Sequence, residues 1–169
     1  MKKFLLTLNL FALCISVANS QIPNFTPTNG MNAFWPFNNN ANDASVNGRN
    51  GTAINVSAIA DRNGTANNAY SFTANSSSVS VPWIDLSQNM TISFWIKASS
   101  NATELTFFNN SWDLYPYIYQ SIVVGGNSIS FRADPTGAGA AFVIVSDVID
   151  NTWHQVVFTY ANNNTLKAY

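Results

Sequence analysis

Few side chains in this sequence are of the types that carry catalysis. It contains one histidine, His154, one glutamate, Glu104, and one cysteine, Cys14. A nucleophile–histidine–acid triad would have to be built around His154, and no G-x-S-x-G nucleophile elbow is present. Zinc chemistry needs more histidine or cysteine ligands than the chain offers. Because His154 alternates with Val156 and Phe158, we expect it to be a hydrogen-bonded histidine on a packed strand face.

Oxygen ligands for a hard cation are concentrated in residues 38–50, NNNANDASVNGRN. Calcium takes carboxylate, amide and backbone carbonyl oxygens from loops of this kind. We interpret Asp43, Asn42 and Asn47 as candidate calcium ligands, and calcium is the only cofactor that the sequence suggests. One carboxylate among neutral amides predicts weak affinity. Asn and Asp are also turn formers in their own right, and that alternative stays open.

An aromatic and amide-rich segment, residues 109–119, reads NNSWDLYPYIY. Flat aromatic faces stack on the CH groups of sugars, while amides and acids bond the hydroxyls, and aromatic rings with a polar tip are common at binding surfaces. Pro116 interrupts the segment and favours a loop. The alternative is that these rings pack within the domain. The candidate ligand-binding residues are Trp112, Asp113, Tyr115, Asn109 and Asn110.

Residues 1–20 have the organisation of a secretory signal peptide. Lys2 and Lys3 are followed by an apolar stretch over 4–17, and Ala18 and Ser20 provide the small residues before a cleavage site. The stretch is too short for a membrane span. Cleavage after Ser20 would remove Cys14, so we expect a mature chain without disulfides, secreted or held at the extracellular surface.

The charge content excludes one class of partner. Only 9% of the residues are charged and the net charge is −1. The sequence shows no basic patch, which predicts that nucleic acid is not a partner. No later stretch has the length and hydropathy of a transmembrane segment. Residues 21–29 are expected to be a flexible lead-in, and 30–169 a single domain.

The hydrophobic pattern predicts an all-β fold. The clearest strand is 90–97, MTISFWIK, in which alternate residues from Met90 to Ile96 form one face. Trp95 lies on the opposite, polar face, either packed against a second layer or as an open ring. We predict a hairpin from 69–72 and 78–81, with 57–60 as a connection. Further strands are predicted at 31–37, 51–56, 103–108, 117–124, 128–133, 140–146 and 152–160.

Three short patches carry a family resemblance. The pattern D-R-x-G-x-x-x-x-A-x-x-F followed by V-x-V/I-P, a loop pattern W/Y-x-F-N-G-N-A-x-D-x-S-G-N-G-x-x-G, and W-H-x-V-A-x-T-Y all have counterparts here. The first matches at Asp61, Arg62, Gly64, Ala69, Phe72, Val79 and Pro82. The second matches at Trp35, Phe37, Asn38, Asn40, Ala41, Asp43, Ser45, Asn47, Gly48 and Gly51, and departs at Asn39 and Val46. The third matches at Trp153, His154, Val156, Thr159 and Tyr160.

These patches resemble the laminin-G-like jelly-roll modules of the concanavalin A-like lectin/glucanase superfamily. The resemblance implies a two-sheet antiparallel sandwich, and calcium at a loop rim is common in such modules. Thr165–Tyr169 is predicted to open a strand that forms a hairpin with the strand before it. The resemblance implies that more strands follow, so we expect this chain to stop inside its domain. The edges of such a shortened sandwich are expected to make residues 1–169 poorly soluble alone.

The same superfamily includes glycosidases, which place two carboxylates two or four residues apart on one strand. No two acidic residues have that spacing here. We therefore expect a non-catalytic secreted module that binds carbohydrate or a cell-surface glycan, as part of a longer polypeptide with other domains. The alternatives are a structural or protein–protein adhesion module without a sugar site, and a glycoside hydrolase-related domain.

Overall fold

The computed structural model describes residues 22–24, 26–74, 76–84, 89–99, 105–111, 119–125, 127–134, 141–161 and 165–169. Over 105–111 and 119–125, and at 133, 134 and 141, the description covers the backbone only. All regular structure in these ranges is β-strand, as the sequence predicts. The strands are β1 (Thr52–Ile54), β2 (Ser57–Ile59), β3 (Ala69–Ser71), β4 (Ser78–Ser80), β5 (Met90–Ile96), β6 (Leu105–Ser111), β7 (Tyr119–Gly125), β8 (Ser128–Asp134), β9 (Ala141–Ser146), β10 (His154–Ala161) and β11 (Thr165–Ala168).

The chain divides into two compact units. One contains Met1–Ile59 and Ala66–Val79, and the other contains Ala60–Thr65 and Ser80–Tyr169. Within the described ranges, no helix has the length and hydropathy needed to cross a bilayer.

In the first unit the strands pair differently from the predicted hairpin. Instead of pairing with each other, β3 pairs antiparallel with β2 and β4 lies beside β1. Asn55 adopts a φ of 50° between β1 and β2, a left-handed conformation that Asn tolerates. Its carbonyl accepts a hydrogen bond from the Ser77 hydroxyl at 2.5 Å, and its Nδ2 donates to Ser76 Oγ at 3.1 Å. The hairpin prediction was therefore wrong, because the turn after β3 bonds to this earlier corner.

Two further predictions in this unit were wrong. Residues 57–60, expected to be a connection, contain strand β2. Residues 31–37, expected to be a strand, have no strand structure. Pro36 has no amide hydrogen to donate, and Phe37 takes a φ of 54°, which ends an extended segment. The hydrogen bonds that replace a strand partner for 31–34 come from the neighbouring loop and are described below.

The second unit consists of two antiparallel sheets. A three-stranded sheet has the order β11-β10-β5, and a four-stranded sheet has the order β6-β7-β8-β9. In the first, Val156 lies opposite Phe94 and Phe158 opposite Ile92. The predicted alternation of 90–97 is confirmed, since the side chains of β5 alternate strictly between the core and the solvent face. The predicted hairpin into 165–169 is also confirmed, with Leu166 opposite Tyr160.

The two sheets of this unit face each other across a hydrophobic core. The ring of Phe158 lies 5.2 Å from that of Phe131 on β8 and 6.2 Å from that of Phe94 on β5, measured between centroids. Val143 and Val145 pack against this cluster from β9. This two-layer antiparallel arrangement is the one expected of a jelly-roll sandwich. The buried core residues are Ile96, Ile129, Phe131, Ile149, Val156, Phe158 and Tyr160.

Candidate functional site

The Asp43 carboxylate organises the loop that the sequence marks as a calcium site. Its Oδ1 accepts hydrogen bonds from the amides of Phe34 at 2.9 Å and Ser45 at 2.8 Å. Its Oδ2 accepts from the Ser45 hydroxyl and the Arg49 amide, both at 2.8 Å. The residue is only 8% exposed. A buried carboxylate with four donors is a satisfied structural group.

Other polar side chains of the loop bind the preceding segment. The Asn47 Nδ2 donates to the carbonyls of Met31 and Asn32, each at 3.0 Å. The Arg49 guanidinium donates to the same Asn32 carbonyl at 2.6 Å, and the Trp35 indole N–H donates to the Arg49 carbonyl at 2.9 Å. The bonds from Asn47 and Arg49 satisfy backbone carbonyls of Met31 and Asn32 that a strand partner would otherwise satisfy.

The two departures from the family loop pattern have different outcomes. Asn39 adopts a φ of 56°, so it takes the left-handed conformation for which glycine is usual there. Val46 is not among the described residues with positive φ, and its side chain is fully exposed. Gly48, which matches the pattern, has a φ of 61°.

The electrostatics of Asp43 reflect these contacts. Burial by itself raises the pKa of the carboxyl group, but the hydrogen bonds from Phe34, Ser45 and Arg49 outweigh it and hold the pKa of Asp43 below its ordinary value.

The other candidate calcium ligands do not join Asp43 in a cluster of acids. Asn42 is exposed, and its backbone amide donates to Asn40 Oδ1 at 2.8 Å. Among the described residues, no group of three or more His, Cys, Asp or Glu side chains could hold a metal ion. The calcium prediction stays a prediction, and the contacts of Asp43 fit a loop-folding role better than a metal site.

His154 lies in a second polar cluster, at the start of β10. Its Nε2 is 2.9 Å from Asp150 Oδ1 and 3.0 Å from the Thr152 hydroxyl. That hydroxyl also donates to Asp150 Oδ1 at 2.7 Å. A hydrolytic triad needs the acid and the nucleophile on opposite ring nitrogens of the histidine, whereas here both contact the same one. The cluster therefore closes the turn into β10, and the expectation of a hydrogen-bonded strand histidine is confirmed.

Acid is expected to destabilise the folded state by protonating the Asp150 carboxylate. The hydrogen bonds from the Thr152 hydroxyl, and then from His154, lower the pKa of Asp150 to about 2. A carboxylate whose folded pKa is lowered stabilises the native state above its unfolded value, about 3.9 for Asp. That stabilisation is lost as the pH falls from about 4 towards 2. Urea midpoints measured across this window should fall for the wild type and fall less steeply for Asp150→Asn. Equal slopes would contradict the assignment.

The aromatic segment proposed as a ligand site lies mostly outside the described residues. This applies to Trp112, Asp113 and Tyr115. Asn109 and Asn110 belong to β6, where their backbones pair with Ser121 and Gln120 of β7. The sequence-based prediction of a ligand site there stays a prediction.

An exposed aromatic surface that the sequence left undecided lies on β5. Trp95 is on the face of the three-stranded sheet opposite the core, and it is 41% exposed. The Arg62 guanidinium carbon lies 4.5 Å from the centre of the Trp95 ring, within the range of a cation–π interaction. Trp95 is therefore not buried against a second layer. It is a partly open ring with a cation over one of its faces.

A tight turn presents Arg62 to this ring. Asp61 Oδ1 accepts hydrogen bonds from the backbone amides of Asn63 at 2.8 Å and Thr65 at 2.9 Å. The Gly64 amide donates to the Asp61 carbonyl at 3.0 Å, and Gly64 has a φ of 81°, which favours glycine. The D-R-x-G pattern thus has a physical role, in which Asp61 and Gly64 shape the turn and Arg62 projects from it.

Comparison with known families agrees with this architecture. A family model of the laminin G type, described as the concanavalin A-like lectin/glucanases superfamily, matches residues 72–169. The match covers more than half of the 169 residues. The chain belongs to this laminin G-like family. No curated protein and no solved structure matches it.

The laminin G-like match includes β4 to β11, but it excludes the loop patch and the first part of the patch that begins at Asp61. The loop 38–50 and the turn with Asp61 and Arg62 both precede residue 72. The family makes this module lectin-like or adhesive in kind. The sequence did not predict the contact between Arg62 and Trp95, because the two residues are 33 positions apart. The only signals were their residue types, a cation and a Trp on the polar face of a predicted strand.

Proposed function

We propose that this laminin G-like chain is a secreted, non-catalytic recognition module that binds carbohydrate or glycosylated surfaces. The observation that carries the proposal is Trp95, an exposed ring held on a regular strand. Side chains anchored on strands are positioned more rigidly than those on loops, which suits stacking on a sugar ring. The signal-peptide pattern of residues 1–20 supports export.

Its neighbours supply the polar groups that a sugar needs. Gln155 lies opposite Trp95 on β10. Its Nε2 is 3.5 Å from Ser93 Oγ, at the long limit of a hydrogen bond, so both groups retain bonding capacity for hydroxyls. An exposed ring beside amide and hydroxyl groups supports the proposal, because aromatic rings and hydrogen-bonding groups together are what a sugar-binding surface needs.

A second candidate function, protein–protein adhesion, is favoured by a different surface. Phe142 and Ile144 lie on β9, an outer strand of the four-stranded sheet, and are 69% and 53% exposed. Two large apolar side chains on one strand face are a typical contact patch for another protein.

A glycan array probed with the purified chain, with and without chelator, tests the proposal. We expect Trp95→Ala to weaken glycan binding about tenfold, as for a binding anchor. Trp83→Ala is the matched control, because Trp83 is 47% exposed and lies outside β5. Trp112→Ala tests the site predicted from the sequence in the same experiment. Absence of binding to any glycan, with protein partners still captured through Phe142 and Ile144, would favour the adhesion function instead.

A further inference from the structure

The solvent face of the three-stranded sheet collects most of the positive charge of the module. On β5, Lys97 follows Trp95 with the same parity, and both are exposed. On β11, Lys167 lies opposite Thr159, whose own partner on β5 is Thr91 of the Trp95 face. Register therefore places Lys97, Trp95 and Lys167 on one face, and Arg62 lies over the Trp95 ring.

This concentration is not visible in the sequence. Beyond residue 20 the chain has five basic residues, and three of them lie on or over this face. The other two, Arg49 and Arg132, lie in the Asp43 loop and on β8.

The carboxylates that the structure describes are engaged elsewhere. Asp43 and Asp150 are bonded within their own loops, and Asp147 accepts from Asn127 beside β8. Asp61, next to Arg62, accepts two amide hydrogens of its own turn. Among the described residues, three cations lie on or over this face and Asp61 is the carboxylate adjacent to one of them in sequence, so the positive charges outnumber the negative ones around the exposed ring.

We propose that this face binds an acidic polysaccharide, with Trp95 stacking on a sugar ring and Lys97, Lys167 and Arg62 contacting the acidic groups. The proposal rests on the carbohydrate-binding function above and names its ligand class. Carboxylate and sulfate groups share the required chemistry, a negative charge with acceptor oxygens that Lys and Arg can bind.

The spacing of the charges favours a polysaccharide over other polyanions. Lys97 and Lys167 are two strands apart across the sheet and about six residues apart along the strand direction. Strand geometry therefore places them roughly 20 Å apart. A chain with at most one charge per sugar matches cations spread this widely. Duplex DNA carries one charge per about 1.7 Å of its axis, and three separated cations neutralise little of that density.

The exposed ring of Tyr169, beside Val157 at the edge of the same face, offers a second stacking position.

Binding of the full secreted chain to four immobilised polymers tests the proposal: polygalacturonate, κ-carrageenan (one sulfate per two sugars), neutral dextran and duplex DNA. We expect retention on one or both of the acidic polysaccharides, weakened by salt. The first two polymers distinguish carboxylate from sulfate as the acidic group.

The double variant Lys97→Gln with Lys167→Gln should weaken this binding roughly three- to tenfold, the sum of two exposed charge contacts. Arg132→Gln, which removes one charge from the other sheet, should leave binding unchanged. Both lysines are exposed, and unchanged melting of the double variant checks the fold.

Four results would overturn the inference. Equal binding to neutral dextran, unaffected by the lysine variant, would reject the acidic ligand and leave the carbohydrate function standing. Equal losses for the lysine variant and Arg132→Gln would reject this face as the site. Binding to DNA as tight as to the acidic polysaccharides would reject the polysaccharide. A wild-type chain that bound no polysaccharide here and no glycan on the array would refute the proposed function itself.

Discussion

Replacing Phe158 by alanine is expected to lower the free energy of unfolding by about 3–5 kcal/mol. The Phe158 side chain is fully buried, and its ring contacts Phe131 across the sandwich and Phe94 on the neighbouring strand. Removing it leaves a cavity at the point where the two sheets meet. The surrounding strands can close such a cavity only partly, because their backbones are fixed by ladder hydrogen bonds.

Urea unfolding followed by tryptophan fluorescence measures this loss. Phe142→Ala is the matched control, since it removes the same side chain from a position that is 69% exposed. We expect the control to change stability by less than about 1 kcal/mol. Similar losses for the two variants would mean that Phe158 is not at the centre of the core.

Replacing Asp43 by alanine is expected to lower stability by about 2–4 kcal/mol. The substitution leaves the amides of Phe34, Ser45 and Arg49 without their acceptor in a part-buried loop. Asp43→Asn should also be destabilising, because its NH₂ group would face hydrogen-bond donors in place of one oxygen. The expected loss of structure extends to residues 31–34, which the same loop holds.

Thermal melting of wild type, Asp43→Ala and Asp43→Asn, each with calcium and with chelator, measures both possible roles of Asp43. Asp147→Asn is the control, because Asp147 is exposed and accepts one side-chain hydrogen bond, from Asn127. Destabilisation of both Asp43 variants that is independent of calcium would support the loop-folding role. A calcium-dependent rise in melting temperature, lost in both variants, would support the metal site by ligand linkage.

The sequence predicted best the structure that depends on local periodicity. Strands β5 and β10 and the hairpin into β11 follow from alternation of apolar and polar residues, which exposes one face and buries the other. The actual partners of β3 and β4, which are β2 and β1, were missed because strands of three residues carry little periodicity. Their partners were decided by a left-handed Asn55 and by serine hydroxyls of a later turn.

Residues 31–37 show a second limit of prediction. The segment MNAFWPF has the composition of a strand, but its backbone is satisfied by Asp43, Asn47 and Arg49. Side chains that replace a strand partner leave no periodic signal. The same applies to the candidate site, where parity predicted the orientation of Trp95 but not Arg62 over its ring. The shared face of Lys97 and Lys167 depends on the register of β5, β10 and β11, which the sequence pattern does not give.

The pairing of β5 with β10 has a consequence for synthesis of the chain. Ser93 and Gln155, neighbours across this pair, are separated by 62 residues in the sequence. At about 5–20 residues per second, the ribosome completes β10 roughly 3–12 seconds after β5. During that interval the edge of β5 that will pair with β10 has unpaired backbone N–H and C=O groups. The polar side chains of Thr91 and Ser93, on the face opposite Met90, then help keep the nascent strand from pairing with other chains, a protection they provide before the native fold exists.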